Sequence, residues 1–171
     1  MKNLSGLAGE ILFIHQPSIW KNFYELKNGD EVLGAIRAPR VFSFAMLFKM
    51  GNSEWEIYRP SFWKSEVAVR QAGYEMPYAT YKQKAFKKSG VVELFKGERF
   101  IIEYKLFKGG YNIQNTSGEY LVTFTEKVSF KDRTEFQIEK KSELLDKYPW
   151  VVALAWYISQ QKKHAGAAAA G

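Results

Sequence analysis

No cysteine occurs among the 171 residues. That excludes a disulfide framework, a thiolate metal site and a cysteine nucleophile together, and it suits a reducing compartment. Histidine is almost as scarce, with His15 near the N-terminus and His164 near the far end. A metal site takes three or four ligands at suitable spacing, and neither histidine has a His or Cys companion, so no metal and no other cofactor is expected. Without a thiol or a placed imidazole, the nucleophilic triads left open are of the Ser–Lys kind. No G-x-S-x-G, Walker or dinucleotide-binding glycine pattern occurs. Glu54 and Glu56 make a carboxylate pair, but they alternate with Trp55 and Ile57 and so read as the solvent face of a strand. The chain is expected to bind, not to catalyse.

Long apolar runs are missing too. The terminal run Trp150–Ile158 is nine residues, and spanning a bilayer takes roughly 20, so no transmembrane segment is expected. The N-terminus carries one lysine and a brief apolar run, Ile11–Ile14, with Glu10 before it and no small-residue cleavage site after it. No signal peptide is expected, and the protein is read as cytoplasmic or peripheral at a membrane surface.

What the chain has in quantity is aromatic side chains: 13 Phe, 10 Tyr and 5 Trp. Large rings fit the pleated, half-buried surface of a sheet. With 46% hydrophobic residues the chain can fill one core without staples. One domain is expected over 1–164, followed by a small-residue tail over 165–171 that frays.

Period-2 patterning runs through the middle. Phe23-Tyr24-Glu25-Leu26-Lys27 and Glu31 to Arg37 flank Asn28-Gly29, a pair that tolerates positive φ and suits a tight turn. Phe42 to Lys49 reads as a strand covered on both faces, and Glu54 to Tyr58 alternates up to Pro60. Trp63–Val69 and Gly73–Tyr81 are further expected strands. The clearest signal runs from Val91 to Phe95, Arg99 to Leu106, Tyr111 to Gln114, Glu119 to Thr125 and Glu135 to Glu139, with polar-glycine turns between. Such spacing is that of an antiparallel sandwich or barrel.

At residue 141 the period changes. Ser142, Glu143 and Asp146 make a helix start. A main helix is expected over about 149–163, with Pro149 at its first position and Lys162 and Lys163 closing it at the negative end of the dipole. A helix apolar all round must be buried all round. In a strand-rich chain only a sheet curved about the helix can do that. The fold class expected is therefore mainly β: an antiparallel closed β-barrel of about a dozen strands wrapped around one C-terminal apolar helix. The rival arrangements are a helix across one open end of a barrel or sandwich, or one at a dimer interface.

The hairpin Phe23-Tyr24-Glu25-Leu26-Lys27-Asn28-Gly29-Asp30-Glu31-Val32-Leu33-Gly34 and the terminal Tyr148-Pro149-Trp150-Val151-Val152-Ala153-Leu154-Ala155-Trp156-Tyr157 resemble the tubby-like superfamily of tubby C-terminal domains, phospholipid scramblases and LURP-one-related proteins. That resemblance implies a barrel of about a dozen strands around a buried helix, and a surface that binds phosphoinositide or another membrane lipid. Two features depart from the scramblases. Lys131-Asp132-Arg133-Thr134-Glu135 is mixed in charge where they carry an acidic calcium-binding segment, and no second apolar segment serves as an anchor. None of the family's lipid-binding basic residues carries over to a position here.

Net charge is +7, and residues 80–110 hold eight basic side chains against three acidic ones. Within Tyr81–Lys88, the side chains Lys82, Lys84, Phe86 and Lys88 fall on one strand face. They are the candidate ligand-binding residues, with lysines for lipid phosphates and Phe86 at the acyl boundary. The bland readings are a solvated face, or lysines that blunt an exposed sheet edge. The expected function is a non-enzymatic binding or scaffold domain whose partner is anionic membrane lipid. The alternatives are a barrel that carries an apolar small molecule, or an enzyme on such a barrel, and a nucleic-acid-binding barrel. Nucleic acid is the less expected partner, and no protein partner is indicated.

Overall fold

Alternating strands joined by glycine turns leave a row of unpaired amides at each sheet edge unless the sheet closes on itself. The computed structural model, which describes residues 3–18, 22–38, 45–61, 64–84, 88–105, 110–125 and 133–170, shows that closure. Its strands are β1 (Ile11–His15), β2 (Phe23–Asn28), β3 (Glu31–Arg37), β4 (Ala45–Met50), β5 (Ser53–Tyr58) and β6 (Glu66–Gln71). They continue as β7 (Ala79–Gln83), β8 (Ser89–Leu94), β9 (Arg99–Tyr104), β10 (Tyr111–Gln114), β11 (Tyr120–Thr125) and β12 (Arg133–Ile138). Each pairs antiparallel with its sequence neighbours, and β1 pairs with both β2 and β12, so the barrel has no free edge.

Several boundaries differ from expectation for identifiable reasons. The run Ile11–Ile14, short and unremarked by any turn signal, is β1, the strand that closes the ring. Gly73 adopts φ +85° and Pro77 has no amide to donate, so the chain turns through 72–78 and β7 begins only at Ala79. The expected strand Gly73–Tyr81 is thereby shortened at its front. For Phe42–Lys49, β4 begins at Ala45, and residues 42–44 lie outside the described residues, as does Trp63. Gly29 takes the left-handed φ of +57° in the β2–β3 turn.

Two helices follow: α1 (Glu143–Lys147) and α2 (Trp150–Ala170). Ser142 caps α1, its hydroxyl accepting from the Leu145 amide at 3.3 Å. A 3-10 turn over Leu4–Leu7 packs against α1, burying Leu4 and Leu7. Ser5 donates its amide to Asp146 Oδ1 at 2.8 Å and its hydroxyl to Asp146 Oδ2. The N-terminal turn and α1 thus meet at one end of the barrel.

Ten consecutive residues, Trp150 to Ser159, are buried. Successive positions on a helix turn by about 100°, so no face of this stretch is left to solvent. Contacts arrive from around the ring. Trp150 meets Tyr78 before β7 at 5.7 Å between centroids, and Trp156 meets Tyr24 of β2 at 4.7 Å. Trp156 Nε1 also donates to Thr134 Oγ1 of β12 at 3.2 Å. The Lys162 ammonium lies 3.6 Å from the Tyr104 ring of β9. From Trp150 to Lys162 is about 18 Å of helix, close to the length of a six-residue strand, so α2 runs the depth of the barrel.

The helix continues past Lys163 to Ala170, and the expected frayed tail 165–171 is corrected up to that residue. Alanine has the highest helix propensity, so the small-residue segment prolongs the helix. Lys162 and Lys163 are accordingly not in the last turn, and the lysine reads against an aromatic ring in place of the helix dipole.

Candidate functional site

The antiparallel order sorts the connections between two ends. Short turns (29–30, 51–52, 95–98) and α1 gather where α2 starts, which we term the turn end. Strands β1, β5, β7 and β9 end, and β2, β6, β8 and β10 begin, where α2 emerges, the loop end.

Lys82, Lys84 and Lys88 all belong to the loop end and all are exposed. They do not share one strand face as expected. Strand β7 stops at Gln83, and Lys82 pairs in register with Val91 as the chain returns in β8. The Lys84 amide donates to the Ser89 carbonyl at 3.0 Å, which fixes the reversal between them. Lys82 therefore lies on the outer face of β7, Lys84 just beyond the strand's end, and Lys88 on the returning arm. Phe86 lies outside the described residues. The reversal was hidden in the sequence because no glycine or proline marks it. The edge-blunting reading of these lysines lapses, since a closed barrel has no edge.

Neighbouring connections add Lys64 before β6 and Lys105 after β9, both exposed. Among the described residues none of Lys64, Lys82, Lys84, Lys88 and Lys105 has an ion pair, although Glu66 stands opposite Lys82 in register. Acidic groups on the same strands are engaged elsewhere: Glu93 with Arg99 at 3.3 Å, and Glu103 as acceptor from Gln114 Nε2 at 2.7 Å. Partly buried Lys162 has its pKa lowered by desolvation.

The turn end carries ion pairs by contrast. Lys147 donates to Glu98 at 2.6 Å, and the Tyr148 hydroxyl donates to the other Glu98 oxygen at 2.8 Å. Those bonds hold the Glu98 carboxyl below its ordinary pKa. Lys140 pairs with Glu119 at 2.8 Å. The Glu54–Glu56 pair is likewise accounted for. Arg37 meets Glu54 at 3.2 Å and Arg70 meets Glu56 at 2.6 Å, as befits an outer face. His15 lies in β1, its Nδ1 buried without a hydrogen-bond partner among the described residues. Among the described residues no group of three His, Cys, Asp or Glu could hold a metal, and no helix is long and apolar enough to cross a membrane.

One feature of the turn end escaped the sequence entirely. A cavity of about 340 Å³ opens beside the start of α2, lined by Trp55, Tyr78, Phe95, Tyr148 and Trp150 with Lys96 and Lys147. Its rings come from separate elements, so no local pattern could announce it. Only the exposure of Phe95, at 88%, hints at a surface with a task.

No protein-family model and no curated protein matches the chain. Among solved structures, a protein of Arabidopsis thaliana determined by X-ray crystallography is similar in fold, with a TM-score of 0.57 and 10% identity over 86% of this chain and 91% of that one. At that identity the likeness bears on the fold alone.

Proposed function

We propose that the protein is a non-enzymatic, tubby-like binding domain that docks on anionic membrane lipid headgroups through the loop end of its barrel. The observation that carries this reading is the charge asymmetry along the helix axis. Among the described residues Lys64, Lys82, Lys84, Lys88 and Lys105 gather without an ion pair at one end, while Glu98 and Glu119 at the other end have lysine partners. Lysine is a flexible point charge, suited to diffuse attraction toward a field of phosphates more than to bidentate readout. The axis of the barrel holds α2, so a carrier of apolar molecules would need space the helix fills.

Co-sedimentation with vesicles tests the proposal. Vesicles of phosphatidylcholine with phosphatidylserine should retain the protein at low salt and release it as salt rises, and phosphatidylcholine alone should not retain it. At about 1 kcal/mol per lysine near such a surface, Lys64→Ala, Lys84→Ala and Lys88→Ala together should weaken binding roughly a hundredfold. Salt-insensitive binding, or binding indifferent to the triple substitution, would count against it. Tighter retention by single-stranded nucleic acid at matched salt would transfer the surface to the other anionic polymer.

A further inference from the structure

The cavity at the turn end makes a second, independent site. Five aromatic rings line it, and rings prefer to be met by another flat apolar body in stacked or edge-on contact. At about 340 Å³ it is at the small end of ligand pockets, too small for a lipid or a folded partner. Its polarity is one-sided. Lys147 is engaged by Glu98 at 2.6 Å, whereas Lys96, exposed at the same mouth, has no ion pair among the described residues. Two lysines against one carboxylate leave a single positive charge. The positive end of the α2 dipole begins at Trp150 in the cavity wall and acts in the same sense. Two further members of that wall, Tyr78 and Trp150, hold buried donors, the hydroxyl and the Nε1, without a hydrogen-bond partner among the described residues. Native proteins leave few such groups unmatched.

We infer that this cavity binds a small aromatic monoanion, its ring against Trp55, Phe95 and Tyr148 and its carboxylate toward Lys96. A neutral ring gains the stacking without the charge, and an amine meets a cationic mouth. Phe95 is 88% exposed, an unfavourable place for a phenyl ring unless something covers it. A seated ring would do so.

Isothermal titration calorimetry of the full chain with 2-naphthoate, naphthalene-2-methanol and 2-naphthylmethylamine tests the inference at one buffer and salt. Saturable one-site binding of 2-naphthoate is expected, with the alcohol about ten times weaker and no saturation by the amine. Phe95→Ala and Lys96→Glu alter exposed side chains, so folding, checked by circular dichroism, should be kept. Each should weaken 2-naphthoate by about tenfold, and Lys96→Glu should also narrow the gap between anion and amine. Thr125→Ala, exposed at the opposite end of the barrel, should leave 2-naphthoate affinity unchanged. The inference fails if 2-naphthoate does not saturate, if anion and amine bind alike, or if neither Phe95→Ala nor Lys96→Glu weakens binding. Vesicle retention is measured with no 2-naphthoate present, so the two assays fail separately.

Discussion

Gly90 is the position at which the barrel is least able to accept one more methyl group. It sits in β8 facing inward, across from β7, and its backbone dihedrals are those of an ordinary strand. The demand is for room, not for left-handed φ. A Cβ placed there would meet Cε2, Cζ and the hydroxyl of Tyr81 at well under 3.0 Å. Tyr81 is 2% exposed and cannot swing away, and β8 is hydrogen-bonded on both sides, to β7 and β9. Overpacking in a core costs typically 1–3 kcal/mol, and with both partners held the upper end applies, about 3 kcal/mol for Gly90→Ala. With a urea slope of about 2 kcal/mol/M, the midpoint should fall by about 1.5 M at an unchanged slope. The companion experiment shortens the ring. The Tyr81 hydroxyl has no hydrogen-bond partner among the described residues, so Tyr81→Leu removes little besides packing. In the double variant the alanine occupies the space the ring vacates. The two costs should then be sub-additive by at least about 1 kcal/mol. A Gly90→Ala midpoint within 0.3 M of the parent, or strictly additive costs, would refute the packing argument and with it the inward register of β8.

Two more outcomes follow from the axis of the barrel. Val151→Asp, Val152→Asp, Ala153→Asp and Leu154→Asp step once around α2, and each places a carboxylate at a site no more than 1% exposed. All four should abolish soluble folded protein, read by near-ultraviolet circular dichroism, whereas a helix with any outward face would tolerate at least one. In alkali, burial pushes the phenols of Tyr81 and Tyr157 up to about 12, while an unfolded tyrosine ionises near 10. A raised native pKa leaves stability whole below pH 10 and drains it as pH climbs toward 12. Absorbance at 295 nm should therefore show these tyrosines ionising together with loss of structure, and smooth titration of every tyrosine near pH 10 in a still-folded protein would contradict the burial.

Strands were legible where one face is wet. The alternation of Phe100 and Ile102 with Arg99 and Glu103 placed β9 and its inward side before any coordinates. The all-apolar run from Trp150 pointed to enclosure for the same reason: a helix without a polar face has nowhere else to go. The misreadings fall where that contrast fails. At Lys82–Lys88 lysines dominate and no turn residue intervenes, so period-2 spacing continues on paper through a reversal that the Lys84–Ser89 bond enforces. At Ala165–Ala170 small residues looked like a tail, although alanine is what a helix continues on most easily. The cavity beside Trp150 was beyond reach, because it exists only once β5, the approach to β7, the β8–β9 turn and the start of α2 converge.

A filled axis has a consequence for where this protein can act. Hollow barrels of this size present their ligands inside, but here Trp150, Leu154 and Trp156 occupy that space, and the outer wall is tied up in pairs such as Arg70–Glu56 and Arg99–Glu93. The two ends of the barrel differ in kind. One offers scattered, flexible lysines, which suit a broad surface of many phosphates. The other offers rigid rings around a space of about 340 Å³, which suits a single small molecule. Helix α2 spans the distance between them as one continuous rod, its first residue in the cavity wall and its Lys162 against β9 at the loop end. The proposed ligand and the proposed lipid surface would thus lie at the two ends of one helix. Coupling between the sites is measurable by thermodynamic reciprocity: if 2-naphthoate alters vesicle retention, vesicles must alter 2-naphthoate affinity by the same factor.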